Sequence, residues 1–224
     1  MSDEGVTMRT IDVQTWQRRC HFRLFQQMDY PHFNVCAPVN IAATLKVVKA
    51  KGGSVNLAVV YALARAANDL APFRFRIRGE DVVEHDAVHP SITVLGEDDL
   101  FSYCTIPWSD EFVPFRTKAE ALITLRKQER MLEDEPGQDD LLFMSGLPWI
   151  AFTSITHPIH MHPADSIPRI SWGQFQVRGE EVPLPVSVQV HHALMDGLHV
   201  SRYFQRVQDL FDHIQDWWRP SVLA

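Results

Sequence analysis

The residues with the clearest chemical potential in this 224-residue chain are two adjacent histidines followed by an aspartate and a glycine, His191-His192-Ala193-Leu194-Met195-Asp196-Gly197. They close the run Pro185-Val-Ser-Val-Gln-Val-His-His, in which Val186, Val188, Val190 and His192 share one face of a strand and Ser187, Gln189 and His191 share the other. A strand that turns valines inward and ends on an imidazole delivers the ring to a sheet edge beside the core. Partial loss of water there leaves a ring able to accept a proton. Asp196-Gly197 then turns the chain into its last helix. One histidine alone would read as a core residue bonded to a neighbour, and one aspartate alone as a helix cap. The doubled histidine, the aspartate four residues on and the glycine together have the composition of a general-base site.

Other reactive side chains carry less. His157, His160 and His162 form a His-x-x-His-x-His string that could supply nitrogen ligands. Its sole carboxylate neighbour is Asp165, and its prolines make it an irregular surface loop, so no metal is expected. The three cysteines, Cys20, Cys36 and Cys104, are odd in number and unpaired by spacing. They read as buried free thiols of a reducing compartment, the cytoplasm.

The elements that must position these groups follow from periodicity and punctuation. A helix is predicted over Val13 to Met28, with Asp12 as cap and Trp16, Phe22 and Phe25 among its apolar residues. Asn40 caps a second helix through Lys49, closed by Gly52-Gly53. Leu57 to Asn68 reads as a buried helix. Strands are expected at Phe73–Ile77, Val82–His85 and Ile92–Leu95, the first two joined by a hairpin turn at Arg78-Gly79-Glu80-Asp81. Ser109 to Asp134 is helical, with Pro114 near its start and Phe112, Phe115, Leu122, Leu125 and Met131 facing inward. The acidic stretch from Glu133 to Asp140, with Pro136 and Gly137, is a surface connection. Phe143–Ser145, Ile150–Ser154, Ile170–Val177 and Val186–His192 are strand-like. Tyr203, Phe204, Val207, Leu210, Phe211, Ile214, Trp217 and Trp218 recur at steps of three and four, the stripe of an amphipathic C-terminal helix. Helices and strands mixed without strict alternation define an α/β (α+β) two-layer sandwich, a mixed sheet covered by helices, as one domain over residues 1–224.

Composition excludes several classes. Hydrophobic residues make up 46% and charged residues 22%, the balance of a soluble globular protein. Aspartate and glutamate number 28 against 21 lysines and arginines, and the net charge of −7 disfavours binding to nucleic acid. No apolar run reaches the roughly 18 residues of a membrane helix. The start, MSDEGVTMRT, has no basic region followed by an apolar stretch, so secretion is not expected.

The stretch from His191 to Gly197, continued by Leu198-His199-Val200, closely resembles the signature of bacterial chloramphenicol acetyltransferases. Trp16-Gln17-Arg18-Arg19-Cys20-His21-Phe22 is similar to that family's Trp-x-Arg-x-x-His-Phe pattern. Ser145-Gly146-Leu147-Pro148-Trp149 is similar to its Ser-x-x-Pro-Trp element, followed by Phe152-x-Ser154. The bare His-x-x-x-Asp-Gly is shared with dihydrolipoyl acyltransferases and peptide-synthetase condensation domains, but three motifs in the family's order span nearly the whole chain. The resemblance implies direct acetyl transfer from acetyl-CoA to a hydroxyl of chloramphenicol, without metal or covalent enzyme intermediate. His192 would be the general base and Ser145 the donor to the oxyanion. Asp196 would form a buried ion pair with Arg18 that fixes the loop carrying His192. Phe25, Phe33, Phe101, Ile155 and His157 would line the acceptor site. The family's architecture implies a homotrimer with sites between neighbouring subunits.

Some positions depart from the family pattern. Ile155-Thr156-His157-Pro158 stands where the family continues with an aromatic and then Asn or Asp, Leu, Asn, and a histidine in place of leucine should alter acceptor preference. Ser54 and Gln174 occupy positions where the family's lysines approach the coenzyme's phosphates, leaving Lys49, Lys51 or Arg178 as substitutes. Two rivals remain: an acyltransferase with another hydroxyl or amine acceptor, and a noncatalytic binding protein on the same scaffold. A dihydrolipoyl acyltransferase core is disfavoured because no lipoyl module or Ala/Pro linker precedes the domain.

Overall fold

The structure, a computed structural model, describes residues 8–132 and 137–218. In chain order its elements are β1 (Met8–Ile11), α1 (Arg19–Gln26), β2 (His32–Asn40), α2 (Ala42–Lys51), α3 (Val55–Asn68), β3 (Phe75–Arg78), β4 (Asp81–His85), β5 (His89–Leu95), β6 (Phe101–Thr105), α4 (Phe112–Gln128), β7 (Leu141–Gly146), β8 (Arg169–Trp172), β9 (Pro183–His191), α5 (Gly197–Asp212) and α6 (Ile214–Trp217). Six strands form a mixed sheet in the order β2-β9-β8-β7-β5-β6, and β1-β4-β3 form a smaller antiparallel sheet. The fold is the expected α/β (α+β) two-layer sandwich, a mixed sheet covered by helices. Among the described residues no helix is long and apolar enough to cross a membrane.

The large sheet has two chemically different faces. Val186, Val188 and Val190 of β9, Ile170 and Trp172 of β8, Leu142 and Met144 of β7 and Ile92 of β5 point into one core with the helices. Helix α3 lies deepest. Ser54 caps it by accepting from the Leu57 N–H at 3.3 Å, and its alanines allow neighbours to approach closely on several sides. Helix α5 adds Val200, Tyr203, Val207, Leu210 and Phe211, each buried side chain contributing roughly 1.5–3 kcal/mol. The Tyr203 hydroxyl donates to the Leu63 carbonyl at 3.1 Å and ties α5 to α3.

The opposite face is polar. Register places Cys36 of β2 opposite Ser187 of β9, Ser187 opposite Ser171 of β8, and Ser171 opposite Ser145 of β7. The Ser145 hydroxyl reaches the Thr93 hydroxyl of β5 at 3.0 Å, and Thr93 faces Tyr103 of β6. The neighbouring row contains Asn34, Gln189 and Arg169. The connection between β7 and β8 crosses part of this face.

Several expectations need correction. Helix α1 begins at Arg19 rather than Val13. Asp12 instead closes an Asx turn, accepting from the Gln14 N–H at 2.9 Å and the Thr15 hydroxyl at 2.9 Å. Ile150–Ser154 is not a strand, since β7 and β8 already pair directly in parallel and the segment belongs to their crossover. Strand β8 stops at Trp172. Leu125 and Met131 are exposed, and Met131 lies beyond the end of α4. Of the thiols only Cys104 is buried, and burial pushes it up to about 11; Cys20 is exposed. Residues 133–136 of the acidic stretch lie outside the described residues. Asp139 and Asp140 are no mere surface linker: Asp139 bonds His85 and Arg78, and Asp140 is buried. Strands β1, β2 and β6 have no counterpart in the sequence expectations.

Candidate active site

Strand β9 ends at His191, and its last core-facing valine, Val190, pairs with Phe33 of β2. His192 follows immediately, its N–H donating to the Pro31 carbonyl at 2.7 Å so that the ladder continues one step past the strand. The imidazole lies flat on Phe25, ring centres 3.8 Å apart and planes 5° apart, with Phe33 at 4.6 Å. Its Nδ1 is 3.1 Å from the Met195 carbonyl oxygen. A carbonyl only accepts, so Nδ1 carries the hydrogen and the lone pair sits on Nε2. A ring clamped between aromatics with one free lone pair can take up a proton in one direction.

The turn beneath it is held by Arg18, which lies just before α1. Its Nη1 donates to Asp196 Oδ2 at 2.7 Å, its Nη2 to the His192 carbonyl at 2.8 Å and its Nε to the Ala193 carbonyl at 3.0 Å. Asp196 caps α5, accepting from the Leu198 N–H at 3.0 Å, and its Oδ1 is 2.8 Å from His199 Nδ1. Burial works against the Asp196 charge, but the hydrogen bonds from Arg18 and His199 outweigh it and hold the carboxyl well below the usual carboxylate range. The expected pair of Arg18 and Asp196 therefore exists, with one correction. It is not fully buried: the Asp196 side chain is 34% exposed against 11% for Arg18. Sequence reading passed over His199 as a partner of Asp196; the Asp196-x-x-His199 spacing, that of a capping box, was the available signal.

The remaining candidates lie elsewhere on the sheet. Ser145 stands on the polar face of β7, bonded to Thr93. It is two strands from β9, in register with Ser187. Five residues at about 3.3 Å and two strand spacings of about 4.8 Å therefore separate it from His192 by roughly 19 Å. Phe101, on edge strand β6, opens on the same face and is exposed. Thus Phe25, Phe33, His192, Asp196 and Arg18 converge, whereas Ser145 and Phe101 belong to a second group.

Ile155 and His157 lie in the crossover. The Ile155 carbonyl accepts from Asn34 Nδ2. The His157 N–H donates to Gln189 Oε1 at 3.1 Å, and its Nε2 is 3.0 Å from the Ser171 hydroxyl. Burial and the nearby Arg169 charge lower its affinity for a proton. Burial, reinforced by His32, pushes His191 down to about 4. Asp165, the carboxylate near the histidine string, pairs with Arg169, and its carbonyl is 2.6 Å from His32 Nε2. Among the described residues no three of His, Cys, Asp or Glu are placed to hold a metal. A groove of about 380 Å³ runs between Cys36, Pro38, Phe152, Gln174 and Arg178. Arg178, not Lys49 or Lys51, is the cation on its wall.

The same architecture occurs in solved acyltransferases. A chloramphenicol acetyltransferase structure superposes with a TM-score of 0.82 at 25% identity, covering 92% of this chain and 100% of that one. The dihydrolipoamide acetyltransferase of Azotobacter vinelandii shares the fold, with a TM-score of 0.67 at 18% identity over 88% of this chain and 87% of that one. The class is therefore that of acyltransferases. The chloramphenicol acetyltransferase family profile matches residues 6–208. Curated chloramphenicol acetyltransferases from a Klebsiella species and from Bacillus pumilus are 29% and 28% identical, covering 92% and 93% of this chain and 94% and 96% of theirs. The chain belongs to the chloramphenicol acetyltransferase family.

Proposed function

We propose that this protein is a cytoplasmic acetyl-CoA-dependent O-acetyltransferase that acetylates a hydroxyl of chloramphenicol and thereby confers resistance to it. One acyltransferase domain spans residues 1–224, and the working form is a homotrimer. The observation that carries the reading is the fixed tautomer of His192: with Nδ1–H given to the Met195 carbonyl, Nε2 is the ring's acceptor. In the reaction Nε2 takes the acceptor hydroxyl's proton while its oxygen attacks the thioester carbonyl carbon. Negative charge gathers on the carbonyl oxygen, and the Ser145 hydroxyl donates to it, an interaction whose loss typically costs about two to three orders of magnitude in rate. Collapse breaks the carbon–sulfur bond, and the thiolate leaves with the proton held by His192. The motifs place no cysteine as a covalent relay, which favours direct transfer.

Phe25 and Phe33 hold the base and, with Phe101, Ile155 and His157, form the acceptor site. The roughly 19 Å between Ser145 and His192 in one chain supports assembly of each site from two neighbouring subunits. Arg178, beside Gln174 on the groove wall, supplies the positive charge toward the coenzyme's phosphates.

A second reading, transfer to a different hydroxyl or to an amine, is favoured by His157, whose imidazole Nε2 meets the Ser171 hydroxyl and whose backbone N–H donates to Gln189. Thiol release from acetyl-CoA, followed with DTNB, separates the possibilities. Turnover with chloramphenicol supports the first reading. Acetyl-CoA binding without acceptor use supports the second, and no coenzyme binding by calorimetry leaves a noncatalytic scaffold protein.

A further inference from the structure

We propose that His199 is a positioning residue for His192, acting through Asp196; the inference rests on the proposed role of His192. The carboxylate of Asp196 is held at both ends. Oδ2 takes Arg18 Nη1 at 2.7 Å, and Oδ1 lies 2.8 Å from His199 Nδ1 and 3.0 Å from the Leu198 nitrogen. His199 Nδ1 lies 2.8 Å from Asp196 Oδ1 and 3.2 Å from the Asp196 backbone nitrogen: carrying a hydrogen it donates to the carboxylate, and without one it accepts from the backbone N–H, so either tautomer ties the ring to Asp196. With the hydrogen on Nδ1 the bond to the carboxylate is charge-assisted, the stronger kind.

The consequence passes along a short chain of contacts. Asp196 oriented this way presents Oδ2 to Arg18. Arg18 then spends its other two donors on the carbonyls of His192 and Ala193, the backbone that carries the base. Met195, whose carbonyl receives the His192 Nδ1–H, directly precedes Asp196. Without the His199 ring, one side-chain oxygen keeps Arg18 and the other keeps only the backbone N–H groups of the first turn. The carboxylate then loses its side-chain tie on that flank and is held less tightly about its own side-chain bond. Both ends of the loop bearing His192 inherit that looseness, and the Nε2 lone pair loses its fixed direction.

His199 is well suited to this task and poorly suited to contributing to the core. It sits on the first turn of α5, its side chain a quarter exposed, while Val200 beside it is buried in the core. Its removal therefore acts on orientation more than on folding.

The test uses H199A and H199Q in the full-length protein, with acetyl-CoA, chloramphenicol and DTNB. Glutamine at the same helical position can return a side-chain hydrogen bond to the capping residue. H199A is expected to lower kcat about tenfold or more, the scale of one charge-assisted hydrogen bond, with both KM values within about twofold of wild type. H199Q should recover most of that loss. Thermal midpoints of both variants should stay within a few degrees of wild type, by the scale of a single cap interaction. Wild-type kcat in H199A, equal loss in both variants, or a large rise in one KM would overturn the proposal. Imidazole ¹⁵N spectra give a readout that does not depend on acceptor. The His192 ring should show a single Nδ1–H tautomer in wild type and an averaged signal in H199A; an unchanged signal refutes positioning. If wild type transfers no acetyl group at all, the proposed function fails while the spectra still decide this point.

Discussion

The separation of Ser145 from His192 makes a quantitative prediction about chains that are each defective at one of these positions. Along β9 and across β8 to β7 the two residues stand roughly 19 Å apart, far beyond the reach of one reacting carbonyl. If both act in one site, that site draws them from two chains. Co-expression of H192A and S145A chains carrying different tags then yields mixed rings. Each interface takes its base from one chain and its oxyanion donor from the neighbour. Passage over both tags removes unmixed rings, and in each remaining mixed trimer about one interface in three receives both intact residues. H192A alone should be essentially inactive, and S145A should retain on the order of 0.1–1% of wild-type kcat. The doubly tagged material is therefore expected to recover about a third of wild-type activity, far above either parent. The assay is acetyl-CoA thiol release with chloramphenicol, on material passed over both affinity tags in turn. Activity no greater than the mean of the two parents would refute the two-chain site. So would a doubly tagged fraction that never forms.

Two further outcomes follow from the clasp and from the buried histidines. Arg18→Met removes an ion pair and leaves the carbonyls of His192 and Ala193 without their donor. With Asp196 a third exposed, about 2–4 kcal/mol of stability should be lost, together with most activity, and the thermal midpoint should fall by roughly 5–15 °C in calorimetry. A midpoint within 2 °C of wild type, by the same scale, would show the clasp to be energetically idle. The second concerns acid. His191 has its folded value lowered to about 4 from 6.5, so the unfolded chain binds its proton first. Its stabilising contribution is complete above about pH 6.5 and is lost as pH falls toward 4, by about 3 kcal/mol. His191→Asn keeps an acceptor for the Ala193 N–H but cannot titrate. Its midpoint should therefore fall less steeply between pH 7 and 4.5; an unchanged slope would mean that His191 does not drive the acid response.

The sequence made buried elements legible and most edge strands obscure, for a physical reason. Helix α5 and strand β9 bury a full stripe or face, so apolar periodicity marks them. The strands that escaped, β1, β2 and β6, are all edge strands. Strand β2 even contains Pro38, set opposite Pro185, which an edge position tolerates because one side of the strand needs no donor. In the opposite sense, Ile150–Ser154 has strand-like composition, yet no free edge exists between β7 and β8 to accept it. The polar face was hidden differently. Ser145, Ser171, Ser187 and Cys36 come from four strands scattered over 150 residues, and only pairing register brings them into a row. The His192, Asp196 and Arg18 group was accessible because most of it lies within one continuous turn.

That turn also explains why the motif has the spacing it has. His192 leaves the strand at its end, so that its backbone still pairs with Pro31 while its side chain escapes the sheet. Three residues are then needed for the chain to curl until the Met195 carbonyl returns to the ring it must orient. The next residue, Asp196, starts the helix, and its cap role places a carboxylate beside the turn it has just completed. One residue fewer would remove the carbonyl that fixes the tautomer, and one more would carry the carboxylate away from Arg18. Gly197 is the exception. Its φ is ordinary, and a Cβ there would meet nothing within 4 Å among the described residues. Its smallness is therefore not required by packing among the described residues.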